Sequence, residues 1–305
     1  MARALPLRGV NRTTRGQPLP EQAALRTARR FVRDRRGAIG LACVAVFVLA
    51  AIAAPVIAPF DPLAQNSGDE LLPPGIPYLL GTDDIGRDIF SRLLFGARLS
   101  LTIAVGSALI GLIVGGASGL IAGYFGRWVD AIINRVWDAL LAFPPILLGI
   151  ALVLVIGAGA MNAAIAVGIL NLPVFARLAR ASAITEKQRD YIVAARALGA
   201  SDLRIISQHL LPNAAPSLLV QTSVAMAVAI LLEASLSFLG LGVQAPAPSW
   251  GSMLSDSRQF LRVAPWYGIA PGAALTLLLI GLTLCSDTLR DVLDPRRLIT
   301  VGRRD

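Results

Sequence analysis

Thr185–Asn213, TEKQRDYIVAARALGASDLRIISQHLLPN, is a polar island between long apolar runs. Its punctuation predicts two short helices rather than a slack loop. Thr185 is placed to N-cap the first, with Gln188 three residues on as a capping box requires. Gly199 is placed to end it in a left-handed cap. Ser201 is placed to N-cap the second, with Asp202 in its first turn, where negative charge suits the helix dipole. Pro212 is expected to limit that second helix. Tyr191, Ala194, Ala195 and Leu198 share one face at i, i+3, i+4, i+7 spacing. A short, firm helix with a small-residue face at a membrane surface is suited to a groove in another protein.

The chain around it is built for lipid. Of 305 residues, 55% are hydrophobic, mean hydropathy is +0.66, and the apolar residues cluster in runs near membrane-spanning length. Net charge is +9, almost all of it arginine, with Lys187 the only lysine. The arginines flank apolar spans, so control of topology accounts for them better than nucleic-acid binding. Cys43 and Cys285 lie in different spans and His209 is the only histidine, so no metal-ligand spacing exists.

Charge bias orders the spans. Residues 1–36 carry ten arginines against Glu21 and Asp34, which puts the N-terminus in the cytoplasm. Residues 11–20 read as disordered, and 21–35 as either a basic surface helix or a plain positive anchor. Six spans are expected, near 38–58, 99–123, 139–159, 163–183, 214–240 and 266–288. Segment 59–97 holds six carboxylates and lies outside, the short loop Gly126 to Asp138 lies inside, and 241–265 lies outside. The second span carries Gly111, Gly115, Gly119 and Gly123 at four-residue spacing, which lets another helix backbone approach closely. Pro144 and Pro145 sit at the start of the third span, and Asn171 with Pro173 is expected to interrupt the fourth.

Chemistry is sparse. No GxxxxGK[ST] phosphate cradle exists, and no nucleophile, base and acid stand in a supporting context. Glu233 is the one acid deep in a span. It reads as a hydrogen-bonded structural acid, as a residue lining a wet path, or as part of a proton relay. Asn171 reads as a helix irregularity or a pathway residue.

The stretch YIVAARALGASDLRIISQHLLPN resembles the EAA loop of permease subunits of ABC importers. LGTDDIGRDIFSRLLFGARLSL (Leu80–Leu101), WDALLAFPPILLGIAL (Trp137–Leu152), EASLSFLGLGVQAPAPSWGSML (Glu233–Leu254) and RDVLDPR (Arg290–Arg296) narrow the match. Together they resemble the C-type permease of the dipeptide, oligopeptide and nickel importers, over about 38–297. The resemblance implies an all-α type I importer fold of six transmembrane helices with both termini cytoplasmic, in a bacterial inner membrane. It divides the chain into a basic segment 1–37, a first helix and external loop 38–97, a five-helix core 98–289 with the coupling loop 185–213, and a tail 290–305.

It further implies a second, B-type permease as partner, two ATP-binding subunits that hydrolyse ATP, and an external solute-binding protein. The chain itself then needs no cofactor, is not an enzyme and binds no nucleic acid; its other neighbour is lipid. The EAA helix would enter a cleft of an ATPase through Ala194, Ala195, Arg196, Leu198, Gly199, Ala200, Ser201 and Asp202. Val193 stands where the family has a glutamate, so packing would carry more of that contact. Arg87, Asp88 and Trp250 are the outer residues expected to meet the binding protein. The rivals are a transporter or channel driven by a gradient, for which only Glu233 offers a site, and a membrane enzyme or scaffold. Gly199→Arg is expected to insert normally yet uncouple ATP hydrolysis from uptake; normal uptake by that variant would remove the coupling role.

Overall fold

The computed structural model describes residues 29–293, and they are helix, turn and loop apart from one isolated β-bridge between Thr82 and Asp88. The expectations for residues 1–28 and for the tail beyond 293 lie outside the described residues. Nine helical elements follow in order: α1 Arg35–Ile57, α2 Ile89–Phe125, α3 Arg127–Leu141, α4 Pro145–Ile156, α5 Ala160–Glu186, α6 Asp190–Ala197, α7 Asp202–Phe238, α8 Trp250–Ser257 and α9 Pro265–Leu293. A five-residue helical piece at 29–33 precedes α1.

Five of these, α1, α2, α5, α7 and α9, are long and apolar enough to cross a membrane. α3 and α4 meet at a 96° bend; counted as one broken span, the pair brings the candidate crossings among the described residues to six. α4 alone has 12 residues, roughly 18 Å, well short of a bilayer core. The bend lies at Pro144, since Pro disfavours helix in the residue before it. What reads as a loop from Gly126 to Asp138 is therefore helix. α3 buries none of its residues and lies against α5 through Arg180, whose Nε and Nη2 both donate to Asp130 at 2.5 Å, and Arg177, which donates to Asp138 at 2.7 Å.

The apolar belt confirms the solvent. Val56, Val155 and Ile52 are 88%, 86% and 71% exposed, and Leu49, Leu154 and Ile269 stand out beside them. So much exposed aliphatic surface on long helices is stable against lipid or another apolar helix, not against water.

α5 is the hub, packed on α2, α7, α4 and α3. The glycine row of α2 faces it. A Cβ at Gly111 would come within 2.7 Å of the Phe175 ring, one at Gly115 within 2.6 Å of the Leu172 carbonyl, and one at Gly123 within 2.7 Å of the Arg180 carbonyl. One at Gly119 would overlap the Ala176 carbonyl. The row thus lets two backbones touch, with Gly168 of α5 against Ile110 in return. α1 is laid on α9 by the same device, Gly40 against Leu284, Cys285 and Gly281. Two large apolar clusters result among the described residues, besides a small one at Ile103, Ala164 and Val243. One, near α8, holds Ile89, Trp250, Met253, Tyr267 and Leu278; the other, near α6, holds Tyr124, Phe175, Ile192, Ile205 and Leu210.

Several local expectations are overturned by this packing. α2 begins at Ile89, ten residues before the expected span and inside the segment assigned to the first external loop, because Asp88 caps it by accepting from Ser91 N at 2.8 Å. α5 runs unbroken through Asn171 and Pro173. It also runs past Thr185, whose Oγ1 donates to Ala181 O at 3.0 Å instead of capping α6; Ala183, packed on Gly123, draws the helix onward. Pro212 does not end a helix. α7 is continuous from Asp202 to Phe238, with a π-turn at Ile206–Leu210, and Pro212 falls in the first turn after it, where a missing N–H is tolerated. α2 has its own π-turn at Gly111–Gly115. Placing Leu at Gly119 is expected to destabilise the bundle by about 1–3 kcal/mol. Ala at Gly106, which faces open space, should shift thermal unfolding in detergent very little.

Candidate coupling site

After α5 ends at Glu186 the chain turns through Lys187 to Arg189 and enters α6. α6 closes as a Schellman motif. Ala200 N donates to Ala195 O and Gly199 N to Arg196 O, each at 3.0 Å, with Gly199 at φ +85°. A Cβ at Gly199 would meet nothing within 4 Å, so it is the backbone angle that calls for glycine. Ser201 then caps α7, its Oγ accepting from Arg204 N at 3.4 Å. The Gly199 and Ser201 readings agree with the structure; α6 itself starts at Asp190, and Arg189 at its N-cap position makes no side-chain cap.

One face of α6 is tied down. Ile192 is buried in the cluster with Phe175, Ala183 and Leu210. Lys187 Nζ donates to Gly123 O at 2.7 Å, at the carbonyl end of α2, where the helix dipole favours a cation. Arg196 donates to the Tyr124 hydroxyl at 3.0 Å and lies 5.4 Å from its ring centre. The Tyr124 hydroxyl donates to Asp202. Tyr191 donates to Glu186, accepts from Asn213 at 3.2 Å and meets His209 edge to face. Partial burial, and then the Glu186 bond, raise the pKa of the Tyr191 hydroxyl, so it stays a donor.

The other face is free. Leu198, Leu203 and Val193 are 88%, 76% and 60% exposed, with Ala194 open between them. Ala195 and Ala200 are half-buried, while Arg196, Gly199, Ser201 and Asp202 are exposed. An apolar ridge on a rigid, pinned helix, set in a polar segment, has the character of a protein-docking surface. The absent glutamate at 193 makes that ridge more apolar.

The two intramembrane candidates lie in helix contacts. Glu233 of α7 is 0% exposed and accepts from Ser237 at 2.8 Å and from Ser100 of α2 at 3.1 Å. This geometry favours the structural acid. Asn171 of α5 has its Cβ against Gly111, and its Nδ2 lacks a protein partner.

The outer candidates are corrected by burial. Trp250 is 0% exposed; its Nε1 donates to Leu93 O at 3.0 Å and its ring lies over Gly96 and edge-on to Phe47. Arg87 is paired to buried Asp83 at 2.6 Å, and Asp88 is the α2 cap. A large indole and a paired arginine gain more from the core than from display. These three shape the outer end instead of offering contacts. Arg92 lies 3.5 Å from the same Asp83 carboxylate, and Tyr267 donates to Asp84 at 3.2 Å. Asp84 and Asp256 border a polar cavity of about 380 Å³ with Arg87, Arg92 and Gln244. Desolvation, then nearby Asp84, push the Asp256 carboxyl up.

A family model described as "Binding-protein-dependent transport system inner membrane component" matches residues 115–299. The chain belongs to this family. A second model, the N-terminal TM domain of oligopeptide transport permease C, matches residues 25–74 and identifies the permease as C-type. This ABC permease is 45% identical over 264 residues to the dipeptide transport system permease protein DppC of Alkalihalophilus pseudofirmus, covering 87% of each chain. It is 42% identical to the glutathione transport system permease protein GsiD of Pectobacterium atrosepticum, covering 88% of this chain and 89% of that one. A solved inward-facing MetNI methionine ABC transporter covers 66% of the permease at TM-score 0.54 and 19% identity, with 96% of the MetNI chain matched. That likeness establishes the shared type I fold. The permease is a multi-pass inner-membrane protein.

Two contacts escaped the sequence reading. Tyr124 with Arg196 and Arg180 with Asp130 bind α6 and α3 to the bundle, and nothing in their spacing announces partners 72 and 50 residues away. Glu233→Gln, which keeps an acceptor between Ser100 and Ser237, is expected to fold and transport nearly normally. Glu233→Leu strands both hydroxyls and should cost about 1–3 kcal/mol in unfolding measurements. Abolished uptake by a well-folded Glu233→Gln protein would reinstate a pathway role.

Proposed function

We propose that the permease forms half of the path of an ATP-driven importer of short peptides, and that α6 is the surface through which ATPase subunits drive it. The observation that carries the reading is the exposed apolar set of Val193 on α6, Leu198 at its end and Leu203 in the first turn of α7, on a segment pinned to the end of α2. The chain has no phosphate cradle, so energy must arrive from outside it. A rigid projecting element can deliver that energy by biasing two packings of the bundle.

The remaining parts follow. A B-type permease completes the path, two ATP-binding subunits receive Ala194, Ala195, Leu198 and their neighbours, and a solute-binding protein delivers cargo to the α8 end. With Trp250, Arg87 and Asp88 inside, the outer contact passes to exposed neighbours such as Leu261 and Val263. The reading puts both termini in the cytoplasm, which the ten arginines of residues 1–36 support. Dipeptide and glutathione names among relatives above 40% identity support short peptides as cargo, and a nickel chelate is not needed. ATP is bound by the partners alone.

Reconstitution of the permease with its B-type partner, ATPases and binding protein in liposomes tests this. Labelled dipeptide uptake should require both ATP and the binding protein, and Leu198→Cys should cross-link to an ATPase subunit. Uptake that continues without the ATPases, or a Leu198→Cys label reached only from outside, would sink the proposal.

A further inference from the structure

We infer that Tyr124 is a positioning residue that joins the coupling helix to the near half of α2, so that a displacement of α6 moves α2 and α5 as one body. The inference rests on the coupling role proposed for α6. Three parts of the coupling segment converge on the last turn of α2: Lys187 before α6 on the Gly123 and Tyr124 carbonyls, Arg196 within α6 on the Tyr124 hydroxyl, and Asp202 at the head of α7 on the same hydroxyl. The hydroxyl is used twice, as acceptor from Arg196 and as donor to Asp202. Tyr124 is 6% exposed, so its side chain is held by the packing around it while Arg196 and Asp202 reach its hydroxyl from the exposed side.

What the junction grips cannot slide. Gly119 and Gly123 set the near half of α2 on the α5 backbone, at Ala176 and at Arg180 with Ala183. Bending is available farther along. The π-turns Gly111–Gly115 of α2 and Ile206–Leu210 of α7 each interrupt the helical register between the clasp and the α8-end cluster. An apolar groove of about 660 Å³, lined by Leu112, Leu120, Leu203, Leu211 and Leu218, lies along the contact between the two near halves, beside both π-turns.

Tyr124→Phe removes only the hydroxyl and keeps the ring beneath Arg196. In the reconstituted four-subunit complex with binding protein, three quantities are read: ATPase co-purification, ATP hydrolysis, and dipeptide imported per ATP. Tyr124→Phe is expected to retain the ATPases and hydrolyse ATP while peptide per ATP falls at least about fivefold, the lower end of ordinary coupling energies. Asp202→Ala should give the same loss, the double variant should be no worse than either, and Asp202→Asn, which keeps an acceptor, should recover most of the ratio. If Tyr124→Phe assembles poorly, the Asp202 pair carries the test alone. An unchanged ratio with ATPases bound, or losses that add in the double variant, overturns the role of Tyr124 and leaves α6 docking intact. ATPases that fail to co-purify with the unaltered permease overturn the docking reading as well.

Discussion

The bundle depends on one close contact, the glycine row of α2 against the backbone of α5. In lipid, helices gain nothing from hiding apolar side chains from one another, because the tails are equally apolar. Attraction must come from dispersion at short range. Gly111, Gly115, Gly119 and Gly123 permit that range along the C-terminal half of α2, where any Cβ would run into Phe175, Leu172, Ala176 or Arg180. α5 in turn supports α3, α4 and α7, so the geometry of this one pair is passed to most of the molecule.

The coupling segment hangs from the end of that pair. α6 is short, and isolated helices of eight residues are not stable in water. It persists because Ile192 is buried below it, Lys187 and Arg196 bind the end of α2, and the Gly199 turn feeds directly into α7. Rigidity on one face and exposure on the other are products of the same anchoring. A partner that closes on the exposed ridge acts on a body already joined to two membrane helices.

Polar groups in the membrane part obey the rule that burial requires partners. Glu233 is satisfied by two serines from two helices, and Asp83 by two arginines at the outer end. Asn171 Nδ2, beside the π-turn of α2, departs from that rule, as do Ser286 Oγ and Trp266 Nε1 of α9 and Trp137 Nε1 of α3. The outer charges close the α8 end by pairing with one another, which is why Arg87 and Asp88 turned out to be architecture.

Much was legible from residue order alone. Apolar run lengths and arginine bias indicate a multi-span membrane protein, and the four-residue glycine spacing announces a close helix contact. Gly199 and Ser201 mark the turn after α6, because positive φ and capping are local properties of the backbone. Sequence could not say that α5 continues through Thr185, that the stretch after Gly126 is helix, or that Trp250 is buried. Those outcomes turn on what lies opposite: Gly123 across from Ala183, Asp130 across from Arg180, Gly96 beneath the indole. Local preferences act within a few residues and are written in order. Contacts between distant segments, such as Trp250 with Leu93 157 residues away, exist only once the helices have packed, and there tertiary contact outweighs capping and proline signals of about 1–3 kcal/mol each.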